Sequence, residues 1–223
     1  MENVYAVGTT KIPTYGDLPN IYGKSYDSTF NSIVEIDNIY YEDTIITKLG
    51  NNLTVLAQTL LGSEYRDMGE KIALDSYGNI YVSGTVSDHD NDIAPNFPVT
   101  EGVYDTTFNR ESYQKNGITK DIFVSKFNNY LTDLLASTLL GSVKSDSFSS
   151  MVIGSDEILI TGSAGARDFP LLTSIQGEVS PENFANTTYI SKFNSDLTNL
   201  MESTSIGNRD ATFAAKDITT IDN

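Results

Sequence analysis

A phrase written three times fixes what this chain can fold into. Thr47-Lys48-Leu49-Gly50 followed by Leu53-Thr54 returns as Ser125-Lys126-Phe127-Asn128 with Leu131-Thr132, and again as Ser191-Lys192-Phe193-Asn194 with Leu197-Thr198. Each copy runs into an aliphatic-glycine step: Leu61-Gly62, Leu140-Gly141 and Ile206-Gly207. Repetition on this scale predicts stacked supersecondary units, each too small to bury its own apolar face.

The second unit is the most complete. Lys71-Ile72-Ala73-Leu74-Asp75 reads as a short strand and Ser76-Tyr77-Gly78-Asn79 as a tight turn, because Gly and Asn tolerate positive φ. Ile80 to Thr85 follows as a second strand, rich in β-branched and aromatic side chains. A polar excursion from about residue 86 to 120 carries Asn96-Phe97-Pro98 and Tyr104-Asp105-Thr106-Thr107-Phe108. Asp121 to Phe127 is the third strand and Leu134 to Leu140 the fourth.

The other units match piecewise. Asn3 to Thr9 and Glu157 to Ser163 repeat the second strand. Asp17-Leu18-Pro19 and Asp168-Phe169-Pro170 repeat the apolar-Pro step, and Tyr26 to Phe30 repeats Tyr104 to Phe108. Lys48 to Lys126 spans 78 residues and Lys126 to Lys192 spans 66, a difference that falls in the excursion, where surface loops tolerate insertion. No segment sustains a period of 3.6, so few helices are expected.

Four short antiparallel strands per unit, in tandem, are the signature of a β-propeller blade. Leu-Gly, then Ile72-Ala73-Leu74-Asp75-Ser76-Tyr77-Gly78-Asn79-Ile80-Tyr81-Val82-Ser83-Gly84-Thr85, then Phe97-Pro98, then Asp121-Ile122-Phe123-Val124-Ser125-Lys126-Phe127-Asn128 resembles the bacterial β-propeller repeat (SBBP) family. The resemblance covers essentially the whole chain. It is weakest in the first and third units, where Thr187 stands at the position of Asp43 and Asp121. It implies an all-β propeller in a bacterial surface or secreted protein, and no shared enzymatic activity.

With strands lettered a to d from the innermost outward, the chain reads b-c-d, a-b-c-d, a-b-c-d, a. The repeats cover about 1–58, 59–137 and 138–203, and 204–223 supplies a last first strand near Ala211 to Thr219. That is three blade-equivalents with one blade split between the termini. Three wedges are too few to close around a channel, since rings begin at about four blades. The expectation is a homodimer closing a six-bladed ring through its terminal strands, against a larger ring or an excerpt of a longer propeller.

Composition narrows the partners. Fourteen basic residues against 30 acidic ones give a net charge of −16, which repels phosphate backbones and anionic lipid, so no nucleic acid partner is expected. No run approaches the roughly 18–20 apolar residues that span a bilayer, so no membrane insertion is expected, and Met1-Glu2-Asn3-Val4-Tyr5 does not read as a secretory signal. The absence of cysteine excludes disulfides and thiol catalysis. His89, the one histidine, has no placed nucleophile beside it.

Candidate chemistry therefore rests on carboxylates, lysines and tyrosines. Arg66-Asp67, Lys144 with Asp146, and Arg209-Asp210 each follow the aliphatic-glycine step, in d-to-a loops expected at one end of the ring. They form either a charged rim that binds a ligand or turns that the acids cap. Asp88, Asp90 and Asp92 alternate as oxygen ligands do in calcium loops. Ile93 and Val99 stand where an EF-hand has Gly and Glu, so a solvated acidic loop is the plainer reading and no cofactor is required. The repeated Lys48, Lys126 and Lys192 read as inter-blade ion pairs or snorkelling stems or, alternatively, as a ring of cations near the channel. Tyr22, Tyr26, Tyr104 and Tyr113 are candidates to stack on sugars or partner surfaces. The expected function is a non-enzymatic recognition or scaffolding module binding protein or carbohydrate partners through loops. The alternatives are a carbohydrate-active hydrolase or lyase with acids in a central funnel, or a purely structural oligomerising segment.

Overall fold

Alternating and β-branched runs of seven or eight residues pair here with their neighbours in sequence, some across short turns and some across the longer excursions. The computed structural model describes residues 3–11, 24–31, 42–88, 94–110, 118–173, 187–206 and 215–220. Among these the fold is all-β. The strands are β1 (Val4–Thr10), β2 (Asp43–Leu49), β3 (Val55–Leu61), β4 (Asp67–Leu74), β5 (Ile80–Ser87), β6 (Lys120–Phe127), β7 (Leu134–Leu140), β8 (Ser147–Ile153), β9 (Glu157–Ala164), β10 (Thr187–Asn194) and β11 (Leu200–Ile206). No helix among the described residues is long and apolar enough to cross a membrane.

Three antiparallel sheets result: β1-β2-β3, β4-β5-β6-β7 and β8-β9-β10-β11. Within each sheet the strands pair in their order along the chain, as expected. The sheets also share local detail. The ladder between the third and fourth strands slips at Lys48/Leu49, Lys126/Phe127 and Lys192/Phe193. In the turn that follows, Leu53, Leu131 and Leu197 all adopt positive φ, 61°, 58° and 57°. The β4–β5 turn forms as expected, with Gly78 at φ 82°. Asp75 Oδ1 accepts the backbone N–H groups of Tyr77 (2.9 Å) and Asn79 (2.8 Å).

The core lies between sheets. Ile46, Ala57 and Leu61 of the first sheet meet Val82, Val86, Phe123 and Phe127 of the second, with Leu131 closing the turn end. Tyr81, Ile122, Val124 and Leu140 on the second sheet's other face meet Phe148, Met151, Ile160, Tyr189 and Phe193 of the third, with Leu197 in the equivalent place. The middle sheet is covered on both faces, and every residue of β5 is buried. The backbones approach most closely where β4 nears β1 and β2, and where β8 nears β4.

The expected last strand differs. Residues 211–214 lie outside the described residues, and 215–220 form no strand. Side-chain contacts hold this segment instead: Ser150 Oγ donates a hydrogen bond to Asp217 Oδ1, and Lys71 Nζ is 3.7 Å from the same oxygen. A segment fixed by a hydroxyl on β8 and an ammonium on β4 spans two first strands without pairing to either.

Candidate functional site

Two ends of each seam between sheets carry the chain's recurring polar groups. At one end, the turn from the fourth strand to the next first strand closes on an aspartate. Asp67 opens β4, and its Oδ2 accepts the N–H (2.5 Å) and the Oγ–H (2.8 Å) of Ser63. Asp146 repeats this just before β8: Oδ2 accepts the Ser142 N–H at 2.5 Å, and Oδ1 accepts the Ser142 hydroxyl at 3.1 Å and the Gly165 N–H at 2.7 Å. Ser-x-x-x-Asp is thus the local rule, an acid reaching back to cap the turn that delivers it.

Both aspartates are buried, Asp67 at 0% and Asp146 at 1% exposure. Burial pushes the Asp67 carboxyl well above the usual aspartate range, with the nearby Asp43 and Glu64 charges adding to it and the Ser63 hydrogen bonds opposing. Burial likewise raises Asp146 to about 7. Neither is exposed, and each caps its turn, the second of the two uses expected for them. Arg66 points elsewhere: its Nε lies 2.8 Å from Glu42 Oε2, and Lys11 Nζ lies 2.8 Å from Glu42 Oε1. Burial works against the Glu42 charge, yet the hydrogen bonds from Lys11 and Arg66 hold its carboxyl below the ordinary value. Lys144 is exposed. Arg209 and Asp210 lie outside the described residues.

Sequence reasoning missed that each capping aspartate has a second one beside it. Asp43 and Asp121, the first acids of the third strands, are both fully buried. Asn31 donates its N–H to Asp43 Oδ2 at 2.9 Å, and Asn109 does the same to Asp121 Oδ2 at 2.7 Å. The signal was the glycine of the aliphatic-glycine step. A Cβ on Gly62 would sit 2.6 Å from Asp43 Oδ1, and one on Gly141 would overlap Asp121 Oδ1. Only glycine lets the carboxylate lie against the backbone there. Thr187 holds the equivalent place in the third sheet, opposite Ala164 as Asp121 is opposite Val86.

The calcium-type run divides. Asp88 is buried, its Oδ1 accepts the Thr119 N–H at 2.6 Å, and its Oδ2 lies 3.7 Å from Arg110 Nη1. It thereby closes the base of the excursion. Asp90 and Asp92, with His89, lie outside the described residues.

At the other end of each seam the repeated lysines act as ties. Lys48 Nζ donates to the Asn129 carbonyl at 2.9 Å and to Asn129 Oδ1 at 2.5 Å, and lies over the Tyr5 and Tyr130 rings. Lys126 Nζ donates to the Ser195 carbonyl at 3.1 Å and lies over Tyr81, whose hydroxyl donates to the same carbonyl at 2.9 Å. Each lysine therefore fastens its sheet to the turn of the next, which removes the cation-ring alternative for these two. Lys192 has Leu159 opposite it where the others have Tyr5 and Tyr81, and it pairs with Glu157 and Glu202 of its own sheet at 3.3 Å each.

The tyrosines are redistributed too. Tyr26 and Tyr104 are pegs: they meet Phe127 and Phe193 edge-on at 5.7 Å, and their N–H groups donate to the Leu131 and Leu197 carbonyls. Tyr22 and Tyr113 lie outside the described residues. Among the described residues the most exposed aromatic rings are Tyr77 (82% exposed) and Tyr130 (71%), both on turns of the second sheet. Tyr130 flanks a cavity of about 460 Å³ with Asn3, Lys24, Lys48 and Thr132. Tyr77 flanks one of about 250 Å³ with Tyr81, Lys126 and Asp196.

No protein-family model matches the chain, and no curated protein matches it in sequence.

Proposed function

We propose that the chain is a non-catalytic scaffold, a half-ring of a β-propeller completed by a second copy. The observation that carries this is Leu53. It holds the left-handed conformation of Leu131 and Leu197, which costs about 1 kcal/mol for a side chain of this kind. Leu131 and Leu197 are 0% exposed, each plugged into the seam with the sheet before it, whereas Leu53 is 65% exposed. The strained turn is built to fill a seam with a preceding sheet, and the partner's third sheet supplies it.

Gly8 supports the same reading. At its equivalents the first strand runs so close that a Cβ on Gly84 would overlap Met68 O and one on Gly162 would overlap Ser147 O. A Cβ on Gly8 would meet no described atom within 4 Å, and β1 has a strand on only one of its edges among the described residues. Pairing of this edge with a strand of a second copy would cover an exposed sheet edge. The wedge geometry expected of propeller blades agrees with closest approach on the first-strand side. The recurring carboxylates sit inside seams, which favours a scaffold over a hydrolase. The SBBP resemblance adds a bacterial surface or secreted protein as the setting.

Light scattering tests it. The expected mass is twice 24.4 kDa, and Leu53→Asp returns it to one chain. Wild-type protein that stays monomeric at every concentration overturns the two-copy ring.

A second reading, glycan recognition, is favoured by Tyr130, an open ring beside a cavity with hydrogen-bonding walls. A glycan array read with wild type and Tyr130→Ala checks it; identical profiles remove it.

A further inference from the structure

The first strands β4 and β8 each carry a bulge at the same place. Their ladders with β5 and β9 slip at Gly69/Lys71 and at Phe148/Ser150, which leaves Glu70 and Ser149 as the extra residues. Lys71 and Ser150 are therefore equivalent, each the residue after its bulge, opposite Ser83 and Thr161. A bulge bends its strand and re-aims the side chains beside it. Here the two side chains converge on one atom. Ser150 Oγ donates to Asp217 Oδ1, and Lys71 Nζ lies 3.7 Å from the same oxygen.

This pair offers what an oxyanion needs. Ser150 is 1% exposed, so its hydroxyl requires an acceptor, and the carboxylate supplies it. Lys71 supplies the charge, and among the described residues its ammonium has no other ion pair. The Ser150 hydrogen bond, with the Ile218 N–H at 3.0 Å and the Lys71 charge adding to it, holds the Asp217 carboxyl below the ordinary aspartate value. The occupant is held far less firmly than the site. The Asp217 side chain is 74% exposed, and segment 215–220 makes no backbone hydrogen bond to a sheet among the described residues.

We propose that Lys71 and Ser150 form a carboxylate-binding site across the junction of β4 and β8, which takes an aspartate from an unpaired peptide segment, and that Asp217 is a displaceable ligand carried by the chain itself. The site does not depend on the two-copy ring.

The test uses the full chain with Asp217→Ala, titrated with the end-blocked peptide Ala-Lys-Asp-Ile-Thr-Thr, the sequence of 215–220. Amide chemical shifts in NMR follow binding in the millimolar range. A tethered carboxylate competes at an effective concentration of millimolar order, so wild type should bind the peptide about tenfold more weakly than Asp217→Ala. Adding Lys71→Met to Asp217→Ala should abolish binding, as should adding Ser150→Ala. Lys71 and Asp217 are exposed side chains, so that pair of changes decides the matter even if Ser150→Ala fails to fold. No saturable shift in Asp217→Ala at about 10 mM peptide overturns the proposal, since that is weaker than a millimolar site. So does equal affinity in wild type and Asp217→Ala, or a peptide with asparagine in place of aspartate that binds as well.

Discussion

Replacing the three turn leucines one at a time separates a seam that exists within the chain from one that needs a partner. Leu131 and Leu197 are fully buried, Leu131 among Ile46, Phe123 and Phe127 and Leu197 among Tyr189 and Phe193. Truncation to alanine removes the side chain from a rigid pocket while the left-handed backbone stays. Buried Leu→Ala changes cost about 2.7–5 kcal/mol, and the turn position, closed on one side by backbone, favours about 3. For a chain of this length that lowers the melting midpoint by about 6–12 °C. Leu53 has the same φ but is 65% exposed, so in the isolated chain its truncation shifts stability by no more than about 0.5 kcal/mol. Urea unfolding at low protein concentration measures all three, and light scattering at high concentration follows the dimer. Leu53→Ala should leave the dilute-protein unfolding curve in place and weaken association. Equal destabilisation by Leu53→Ala and Leu131→Ala in dilute protein, or a dimer indifferent to Leu53→Ala, would refute the reasoning.

Stability should fall as pH rises from about 4 to 7. Burial puts the native Asp146 carboxyl near 7, so between the unfolded value and 7 the native state holds the extra proton, and on the order of 4 kcal/mol is lost across that window. Asp146→Asn should flatten the slope in urea titrations at pH 5 and 8; an unchanged slope contradicts it. Gly84→Ala should cost more than about 3 kcal/mol by driving a methyl into Met68 O, whereas Gly8→Ala stays within about 0.5 in dilute protein; matching losses would argue against the close-approach account. Lys126→Met should cost about 1–2 kcal/mol through the lost Ser195 carbonyl bond and Tyr81 contact, and Lys192→Met less, since its partners are exposed acids of its own sheet. Comparable midpoints for the two variants would count against the tie.

Much of the fold was legible because strands and hairpin turns are local. Ile80 to Thr85 and Leu134 to Leu140 declare themselves by residue type, and Tyr77-Gly78 by its turn chemistry. The site was less legible because charge says nothing about burial. Asp67 beside Arg66 looks like a surface pair, yet Arg66 turns to Glu42 while Asp67 folds inward onto Ser63. Tyr104, in a polar excursion, looks exposed, yet it pegs into the next sheet against Phe193.

By itself the amino-acid order determined the strand succession and the positions that every unit holds in common, since those follow from short-range pattern. The packing of one sheet on the next decided the rest. It brought Lys126 to Ser195 and Tyr81 to the same carbonyl, partners separated by tens of residues. It also left Leu53 with the backbone of its two counterparts but without their burial. Contacts of that kind depend on which faces meet, and no periodicity along the chain encodes them.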